Sequence, residues 1–481
     1  MRVARASQPA AFLASLVLLI PWAAGAATAT AVSNHHERAR RLLAELVEVD
    51  TSASAGPAAT RNAAERMADH LRRSGFPAED VHVLVMPDGA GNLVARYRAR
   101  QPRRRPVLLL AHLDVVEALR SDWSVAPFEF LERDGYFYGR GVWDNKAGAA
   151  ILIANFLRLK GEGFEPDRDL VIVFTADEET EQASIQWLLA EHRPLLDAEF
   201  ALNTDGGRVI LRGDRIEAVS IETSEKVYAS YALEAVNPGG HSSLPRTDNA
   251  IYDLTAVLER LHAYEFPIDL NETTRAFLAE WPMPAGDPQL EIARALAAGH
   301  LDEPVVMQLV DHPYVNSIAR TTCVPTQLSA GHAENALPNS ARAVVNCRIL
   351  PQTDPADIEA TLRRLAEPSN VTVTALYPPV ASPPSAIDTE AFAAVRSIAQ
   401  QAWPGVPVLP AMATGATDGL YVRNAGIPTY TIDFLAEDPD DDRTHGRDER
   451  IRSASYYQGL DLWFRLLQRL GSVSTAATSA P

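Results

Sequence analysis

Three apolar runs in the first half of the chain are each followed, directly or after one residue, by acidic residues or histidine. The runs are Val107–Ala111, Leu170–Ala176 and Phe200–Asn203. The nearly continuous apolar character of Val107–Ala111 and Val171–Phe174 is typical of strands that are covered on both faces. Because covered strands of this kind occur in parallel sheets flanked by helices, the chain is restricted to an α/β fold with a largely parallel sheet.

Helical patterns alternate with apolar runs through the whole of this first region, as α/β architecture requires. Further strands are predicted at Val81–Met86 and Leu93–Tyr97, and helices at Glu37–Val49, Arg61–Arg73, Ala147–Lys160 and Glu181–Glu191. From Glu222 the pattern changes to longer β-like stretches such as Tyr228–Val236. A helix at Ala250–Tyr264 and an irregular, proline-containing region to about Pro313 follow, and together they indicate a separate α+β module.

The α/β alternation is predicted to resume at Pro351, so the α+β module would be an insertion within the first domain. Helices near Ala356–Ala366, Thr389–Ala402 and Ser453–Leu470 and strands near Val371–Leu376 and Thr429–Asp433 support this interpretation. We therefore predict one domain from residues 35–221 and 352–471, an inserted domain from residues 222–351, and a flexible tail at 472–481.

The overall charge argues against one class of partner. The chain has 44 basic and 62 acidic residues among 481, which gives a net charge of −18. No basic stripe is present that could neutralise a phosphate backbone, so nucleic acid is not expected to bind.

Residues 1–26 have the organisation of an export signal. Arg2 and Arg5 precede an apolar segment from Ala10 to Ile20, and Pro21 and the small residues Ala24-Gly25-Ala26 follow. The apolar segment is about 11 residues long, whereas a membrane-spanning helix needs about 20. We therefore expect a cleaved signal peptide, a secreted or periplasmic protein, and no membrane attachment after cleavage.

Export also bears on the two cysteines, Cys323 and Cys347, because an oxidising compartment permits a disulfide. Thr322–Ser329 and Ala341–Leu350 are predicted to be the two strands of a hairpin. The hairpin's centre would lie at residue 335, so the cysteines would be cross-strand neighbours. We predict that they are bonded.

The polar residues after the three apolar runs are the strongest functional signal. His112 and Asp114 follow the first run, Asp177-Glu178-Glu179 the second and Asp205 the third. In open α/β sheets the carboxyl ends of strands are where ligands bind. Each acid alone is more commonly a solvated loop residue, but several acids that converge on one edge require cations to neutralise them.

Two further residues indicate which cation. Asp144 precedes a predicted helix, where it could also be a simple N-cap, and His445 lies in a polar loop, where it could be a surface histidine. Two imidazoles together with carboxylates suit Zn²⁺ or similar borderline metals, whereas Ca²⁺ or Mg²⁺ would prefer oxygen ligands alone. Asp114 lies two residues after His112, where it can accept the spare imidazole N–H.

These residues occur within a set of motifs that resembles one known family. The motifs are His112-x-Asp114, Gly-Arg-Gly-x-x-Asp144-x-Lys, Asp177-Glu178-Glu179, Asp205-Gly-Gly, Gly-Gly-His241-Ser-Ser and His445-Gly-x-x-Glu449-Arg. The set resembles the di-zinc metallopeptidase family of glutamate carboxypeptidase, carboxypeptidase S, aminoacylase and succinyl-diaminopimelate desuccinylase. The resemblance extends from about residue 38 to residue 470, and it is closest to the carboxypeptidase S-like branch.

The resemblance implies two zinc ions per chain, with Co²⁺ or Mn²⁺ as substitutes. Asp144 would bridge the two ions, His112 and Asp205 would complete one site, and Glu179 and His445 the other. It also implies a cis peptide bond between Asp144 and Asn145.

The same resemblance assigns catalytic roles to Glu178, as general base, and to His241, as donor to the oxyanion. In dimeric family members the neighbouring subunit supplies this histidine, so a homodimer through the inserted domain is one expected assembly. Asn335, Arg348 and Gly415 match residues that bind a substrate carboxylate.

The function implied is hydrolysis of the C-terminal amide bond of short peptides or N-acyl amino acids. Two alternatives stay open at this point. A catalytically silent peptide-binding protein could keep the fold, although it would have no chemical reason to keep Glu178 and all five ligands. A structural calcium-binding protein conflicts with His112 and His445.

Overall fold

The computed structural model describes residues 23–281, 288–300 and 313–472. Most of the predicted signal peptide, and all of the predicted tail beyond residue 472, lie outside the described residues. No helix in the described part of the chain combines the length and apolarity that a membrane span requires.

The first part of the chain contains most of a large mixed sheet and the helices that cover it. Its elements, in chain order, are α1 (Ala23–Val47), α2 (Ala58–Arg73), β1 (Val81–Val85), β2 (Gly91–Tyr97), β3 (Val107–His112), β4 (Leu131–Arg133), β5 (Tyr136–Tyr138), α3 (Lys146–Gly161), β6 (Leu170–Thr175), α4 (Ala183–Glu191), α5 (Arg193–Leu196), β7 (Phe200–Asn203), β8 (Arg208–Arg212) and β9 (Arg215–Glu225).

The second part contains the inserted domain. Its elements are β10 (Val227–Val236), β11 (Gly240–His241), α6 (Ala250–Ala263), α7 (Glu272–Glu280), α8 (Pro288–Ala297), α9 (Pro313–Ala319), β12 (Thr322–Ala330), β13 (Ala336–Leu337), β14 (Ser340–Ile349), α10 (Pro355–Ala366) and β15 (Val371–Ala375).

The chain then returns to the first domain. The elements of this last part are α11 (Glu390–Ala402), β16 (Val408–Ala413), α12 (Gly419–Asn424), β17 (Thr429–Thr431), β18 (Ala436–Glu437), β19 (Arg450–Arg452) and α13 (Ser453–Leu470).

The large sheet has the strand order β1-β2-β6-β3-β7-β17-β9-β8-β18, and β16 pairs with β9. Its central strands β6, β3, β7 and β17 are parallel to one another. All six residues of β3 and all six of β6 are buried, because helices α1, α3 and α13 cover one face and α4 and α12 the other. The prediction of a helix-flanked, largely parallel sheet is therefore confirmed.

The inserted domain is built on a four-stranded antiparallel sheet with the order β12-β14-β10-β15. One face of this sheet packs against α6 and α10. The hairpin register pairs Cys323 with Cys347, and the two cysteines form a disulfide bond, as predicted.

Two predictions about this domain need correction. Helix α10 and strand β15 belong to its core and sheet, so it continues to about residue 375 and does not end at residue 351. At the other boundary, β9 runs on to Glu225 within the large sheet, so the insertion begins at about residue 226 and not at 222. The local pattern of a helix followed by a strand was the same in both domains, so it could not show which sheet the strand joins.

The region predicted to be irregular contains helices α7, α8 and α9. These helices share a hydrophobic core with Leu409, Ala411 and Met412 of β16, which belongs to the large sheet. Helices α7, α8 and α9 of the insertion therefore pack against the first domain.

Candidate metal centre

The carboxyl ends of three neighbouring parallel strands carry most of the predicted ligands. His112 is the last residue of β3, Glu178 and Glu179 follow β6, and Asp205 follows β7. Asp144 stands two residues before α3. His445 reaches the same position from the loop that precedes β19.

Asp144 lies between the two histidines and uses one oxygen for each. Its Oδ1 is 2.8 Å from His112 Nε2, and its Oδ2 is 3.1 Å from His445 Nε2. His112 Nε2 is also 3.7 Å from Asp205 Oδ1, and His445 Nε2 is 3.0 Å from Glu179 Oε1. The five predicted ligands thus form two groups, His112–Asp144–Asp205 and Asp144–Glu179–His445, that share Asp144.

The electrostatics of the cluster reflect an excess of acids. Burial raises the pKa of Glu179 to about 7, and burial together with neighbouring carboxylates raises the pKa of Glu178 and Asp205. Hydrogen bonds to Asp144 and Glu179 raise the pKa of His445 to about 10. The protein alone therefore neutralises these buried carboxyl groups only in part, and bound cations would complete the neutralisation.

The donor set fits zinc. It offers imidazole nitrogen and carboxylate oxygen atoms within 4.8 Å of one another in each group. Zinc binds both kinds of donor, and a carboxylate shared by two groups can serve two ions at once.

Asp114 has two positioning roles. His112 Nδ1 lies 3.0 Å from the backbone carbonyl oxygen of Asp114 and 3.4 Å from its Oδ1, so Asp114 orients the imidazole. Its carboxylate also accepts backbone hydrogen bonds from Glu178 at 3.1 Å and Glu179 at 2.9 Å. One side chain therefore connects the β3 and β6 parts of the cluster.

Glu449 is a positioning residue that the sequence motifs contained but did not assign. It is buried, and it accepts hydrogen bonds from Arg140 Nη1 at 2.6 Å and from the backbone N–H of Trp143 at 2.8 Å and Asp144 at 3.2 Å. It thereby fixes the loop that presents Asp144. The Asp144–Asn145 peptide bond is cis, as the resemblance implied.

Glu178 is buried and lines the same cavity as Asp144, Asp205 and His445. Its Oε1 accepts a hydrogen bond from Gln182 Nε2 at 2.9 Å. The buried Asp418 is a nearby acid to which no sequence motif assigns a role. Burial raises its pKa to about 8, and its Oδ2 accepts a 2.5 Å hydrogen bond from Thr175.

Of the three residues predicted to bind a substrate carboxylate, Gly415 and Arg348 lie near the same loop, and Asn335 does not line the cavity. Gly415 lines the cavity beside the metal ligands. Arg348, from β14 of the inserted domain, donates to the carbonyl of Thr414 at 3.4 Å, so its guanidinium lies next to this loop. Asn335 is exposed and is not among the residues that line the cavity.

His241 is also exposed and absent from the cavity lining. It belongs to a two-residue ribbon in which β11 pairs with β13, and its Nδ1 is 2.7 Å from Ser243 Oγ. Asn335 lies at the same ribbon, where its carbonyl accepts from Ser242 N–H at 3.1 Å. The structure thus groups His241 with Asn335 and leaves both outside the cavity of this chain.

Comparison with known proteins agrees with this geometry. The model of peptidase family M20/M25/M40 matches residues 108–469, which include every predicted ligand. The chain belongs to this family. Membership confirms the resemblance to metallopeptidases and aminoacylases, and it identifies the chain as a hydrolytic enzyme.

Relatives and a solved structure are similar to the chain over most of its length. It is 26% identical over 416 residues to mouse N-fatty-acyl-amino acid synthase/hydrolase PM20D1, covering 82% of this chain and 80% of the relative. It is 25% identical over 397 residues to a probable carboxypeptidase S-like 2 of Dictyostelium discoideum, covering 78% and 74%. The M20 family metallo-carboxypeptidase Sso-CP2 of Sulfolobus solfataricus shares its fold, with a TM-score of 0.68, 18% identity and coverage of 89% and 97%.

Proposed function

We propose that this protein is a secreted, zinc-dependent hydrolase that cleaves the C-terminal amide bond of short peptides or N-acyl amino acids. The observation that carries the proposal is Asp144, which contacts both His112 and His445 beside the buried carboxyl group of Glu178. The printed names of two relatives, an N-fatty-acyl-amino acid synthase/hydrolase and a probable carboxypeptidase S-like protein, support these substrate classes.

His112, Asp144 and Asp205 would hold one zinc ion, and Asp144, Glu179 and His445 the other. When bound, the ions would lower the pKa of a water molecule and polarise the scissile carbonyl group.

Glu178 would move the proton during the reaction. Hydrolysis forms a bond between the water oxygen and the carbonyl carbon and breaks the bond between that carbon and the amide nitrogen. Glu178 would take a proton from the water and give it to the departing nitrogen. Since burial raises its pKa, the carboxyl group is suited to hold a proton between these two steps.

Arg348 and Gly415 would receive the free carboxylate of the substrate. A guanidinium can hold a carboxylate through two parallel hydrogen bonds, which favours cleavage at the C-terminal amide. The contact of Arg348 with Thr414 supports this role, because Thr414 and Gly415 both line the cavity of the metal ligands.

His241 would act from a neighbouring subunit of a homodimer. Its exposure, its position beside Asn335 and its absence from the cavity of its own chain support this arrangement. The sheet of the inserted domain offers β12 as an edge strand, on which Val324 is 54% exposed and Leu328 is 63% exposed. Light scattering of the purified protein would give the mass of a dimer, and a monomer at assay concentration would contradict this part of the proposal.

Export is supported by the N-terminal sequence pattern and by the bond between Cys323 and Cys347, since disulfides persist in oxidising compartments. Cell fractionation with N-terminal sequencing of the mature chain tests this part. A cytoplasmic protein that keeps its first 26 residues would contradict it.

The activity is tested by metal analysis together with hydrolysis of a panel of dipeptides and N-acyl amino acids, each with a free or amidated C-terminus. We expect bound zinc and cleavage of the free acids. A protein that binds these compounds without cleaving any of them would support the rival function, a catalytically silent binding protein of the same fold.

A further inference from the structure

The cavity that contains the metal ligands also has an aromatic wall. Its volume is about 910 Å³, and Phe277, Trp281 and Tyr314 line it together with Asp144 and His445. A cavity of this size is at the upper end of the range that encloses drug-sized ligands. The wall therefore belongs to the same space as the proposed site of hydrolysis.

The three rings contact one another and form one apolar surface. Their centroids are 5.2 Å apart for Phe277 and Trp281, 5.2 Å for Trp281 and Tyr314, and 6.0 Å for Phe277 and Tyr314. Phe277 belongs to α7 and Tyr314 to α9, and both helices share a core with β16. Because β16 is a strand of the large sheet, the aromatic wall is held against the domain that carries the ligands.

Both arginines that line the cavity, Arg208 and Arg212, are paired with acids of the protein. Arg208 lies 3.3 Å from Glu437 and 3.3 Å from Asp442. Arg212 lies 3.2 Å from Glu217 and 3.3 Å from Asp440. Both arginines of the lining are thus neutralised, so this side of the cavity is not built to receive an anionic group.

We propose that Phe277, Trp281 and Tyr314 bind the acyl chain of an N-acyl amino acid and make the enzyme selective for long, apolar acyl groups. The inference rests on the proposed function and names its substrate class more narrowly. The amino-acid carboxylate would lie toward Arg348 and Gly415, and the acyl chain would cover the aromatic wall.

A series of N-acyl derivatives of one amino acid tests the selectivity. With acetyl, butanoyl, hexanoyl and octanoyl substrates, kcat/KM should rise by about fourfold per methylene that becomes buried. We expect octanoyl to exceed acetyl by at least about 100-fold.

Two variants test the residues. Tyr314→Ala should reduce the preference for octanoyl over acetyl by at least about tenfold, as should Trp281→Ala. Tyr252→Ala is the matched control, because Tyr252 lies on α6, is 66% exposed and does not line the cavity. This control should keep the preference of the original protein.

Calorimetry gives a second readout that does not depend on turnover. The Glu178→Gln protein should bind N-octanoyl more tightly than N-acetyl amino acid, and adding Tyr314→Ala should remove most of the difference. Equal binding of the two ligands, or a preference that both aromatic variants keep, would overturn the inference.

The outcomes separate this inference from the proposed function. Hydrolysis of acetyl-amino acids and dipeptides without chain-length selectivity would overturn the acyl-chain assignment and leave the hydrolase intact. Failure of the zinc-loaded protein to cleave any amide would overturn the proposed function, and the binding measurement would still decide the inference.

Discussion

The metal cluster and the ribbon that carries His241 differ in how their functional side chains are held. The Asp144 side chain is only 14% exposed and contacts His112 and His445 directly. His241 and Asn335 are exposed on a two-residue ribbon and lie outside the cavity. The comparison teaches that the cluster is assembled within one chain, whereas the ribbon needs a partner subunit or a movement of the inserted domain to contribute to the same reaction.

The largest effect is expected from Asp144→Ala, because this carboxylate is shared by both groups of ligands. The variant should lose both metal ions, and its turnover should fall by more than the factor of about 10²–10⁴ that loss of a general base costs. Elemental analysis of the purified variant checks the metal content. Two metal ions per chain in this variant would show that Asp144 does not bridge.

His241→Ala should affect turnover without affecting metal content, because the ribbon does not touch the cluster. Removal of one oxyanion donor typically costs about 10²–10³ in turnover. Kinetics and zinc analysis of the same preparation check this expectation. Loss of zinc together with activity would place His241 among the groups that hold the cluster.

Mixing the His241→Ala protein with the Glu178→Gln protein tests whether His241 acts across a dimer. If His241 acts across a dimer, a hybrid dimer contains one site with both groups intact, and activity should partly return. If mass spectrometry shows hybrids and the mixture stays inactive, the neighbouring subunit does not supply this histidine.

Arg348→Ala tests the connection between the two domains at Thr414. Loss of a charge-assisted hydrogen bond of about 1.5–3 kcal/mol should raise KM for substrates with a free carboxylate by about 10–150-fold. Substrates with an amidated C-terminus should be affected little, and Arg348→Lys should recover part of the loss. An equal effect on free and amidated substrates would contradict the assigned role.

The smallest effect concerns the pH dependence of stability. In the metal-free protein the pKa of Glu179 is raised to about 7, so the folded state binds more protons than the unfolded state between about pH 4.5 and 7. The metal-free protein therefore loses stability as pH rises through this range. Metal binding also becomes stronger as pH rises, because the ligands must be deprotonated. The increase in Tm on adding zinc should be larger at pH 8 than at pH 5, and the opposite order would contradict this electrostatic account.

The sequence could predict that several side chains of the cluster converge, because their positions follow from strand order. His112, Glu179 and Asp205 each stand where an apolar run ends, and parallel neighbours bring those ends together. Asp144 and His445 lie in loops, and the sequence motifs that contain them identified these two residues. The disulfide could be predicted for a similar reason, since a hairpin centre fixes which residues of its two strands are opposite.

Other features depend on contacts between distant elements that no local pattern records. Helix α10 and strand β15 looked like a return to the first domain, but their apolar faces pack on the inserted sheet. The wall of Phe277, Trp281 and Tyr314 lies in a region that proline content made look irregular. Asp418 carried no motif, and only burial beside the cluster identifies it.

The most direct test of the central claim is to measure zinc content and turnover on one preparation of Glu178→Gln. Glu178 lines the same cavity as Asp144 and, in this account, moves the proton without holding a metal ion. The variant should keep the zinc content and folding of the original protein, and its turnover should fall by at least about 10²–10⁴. Ordinary activity with full zinc content would contradict the account by assigning the proton transfer to another group.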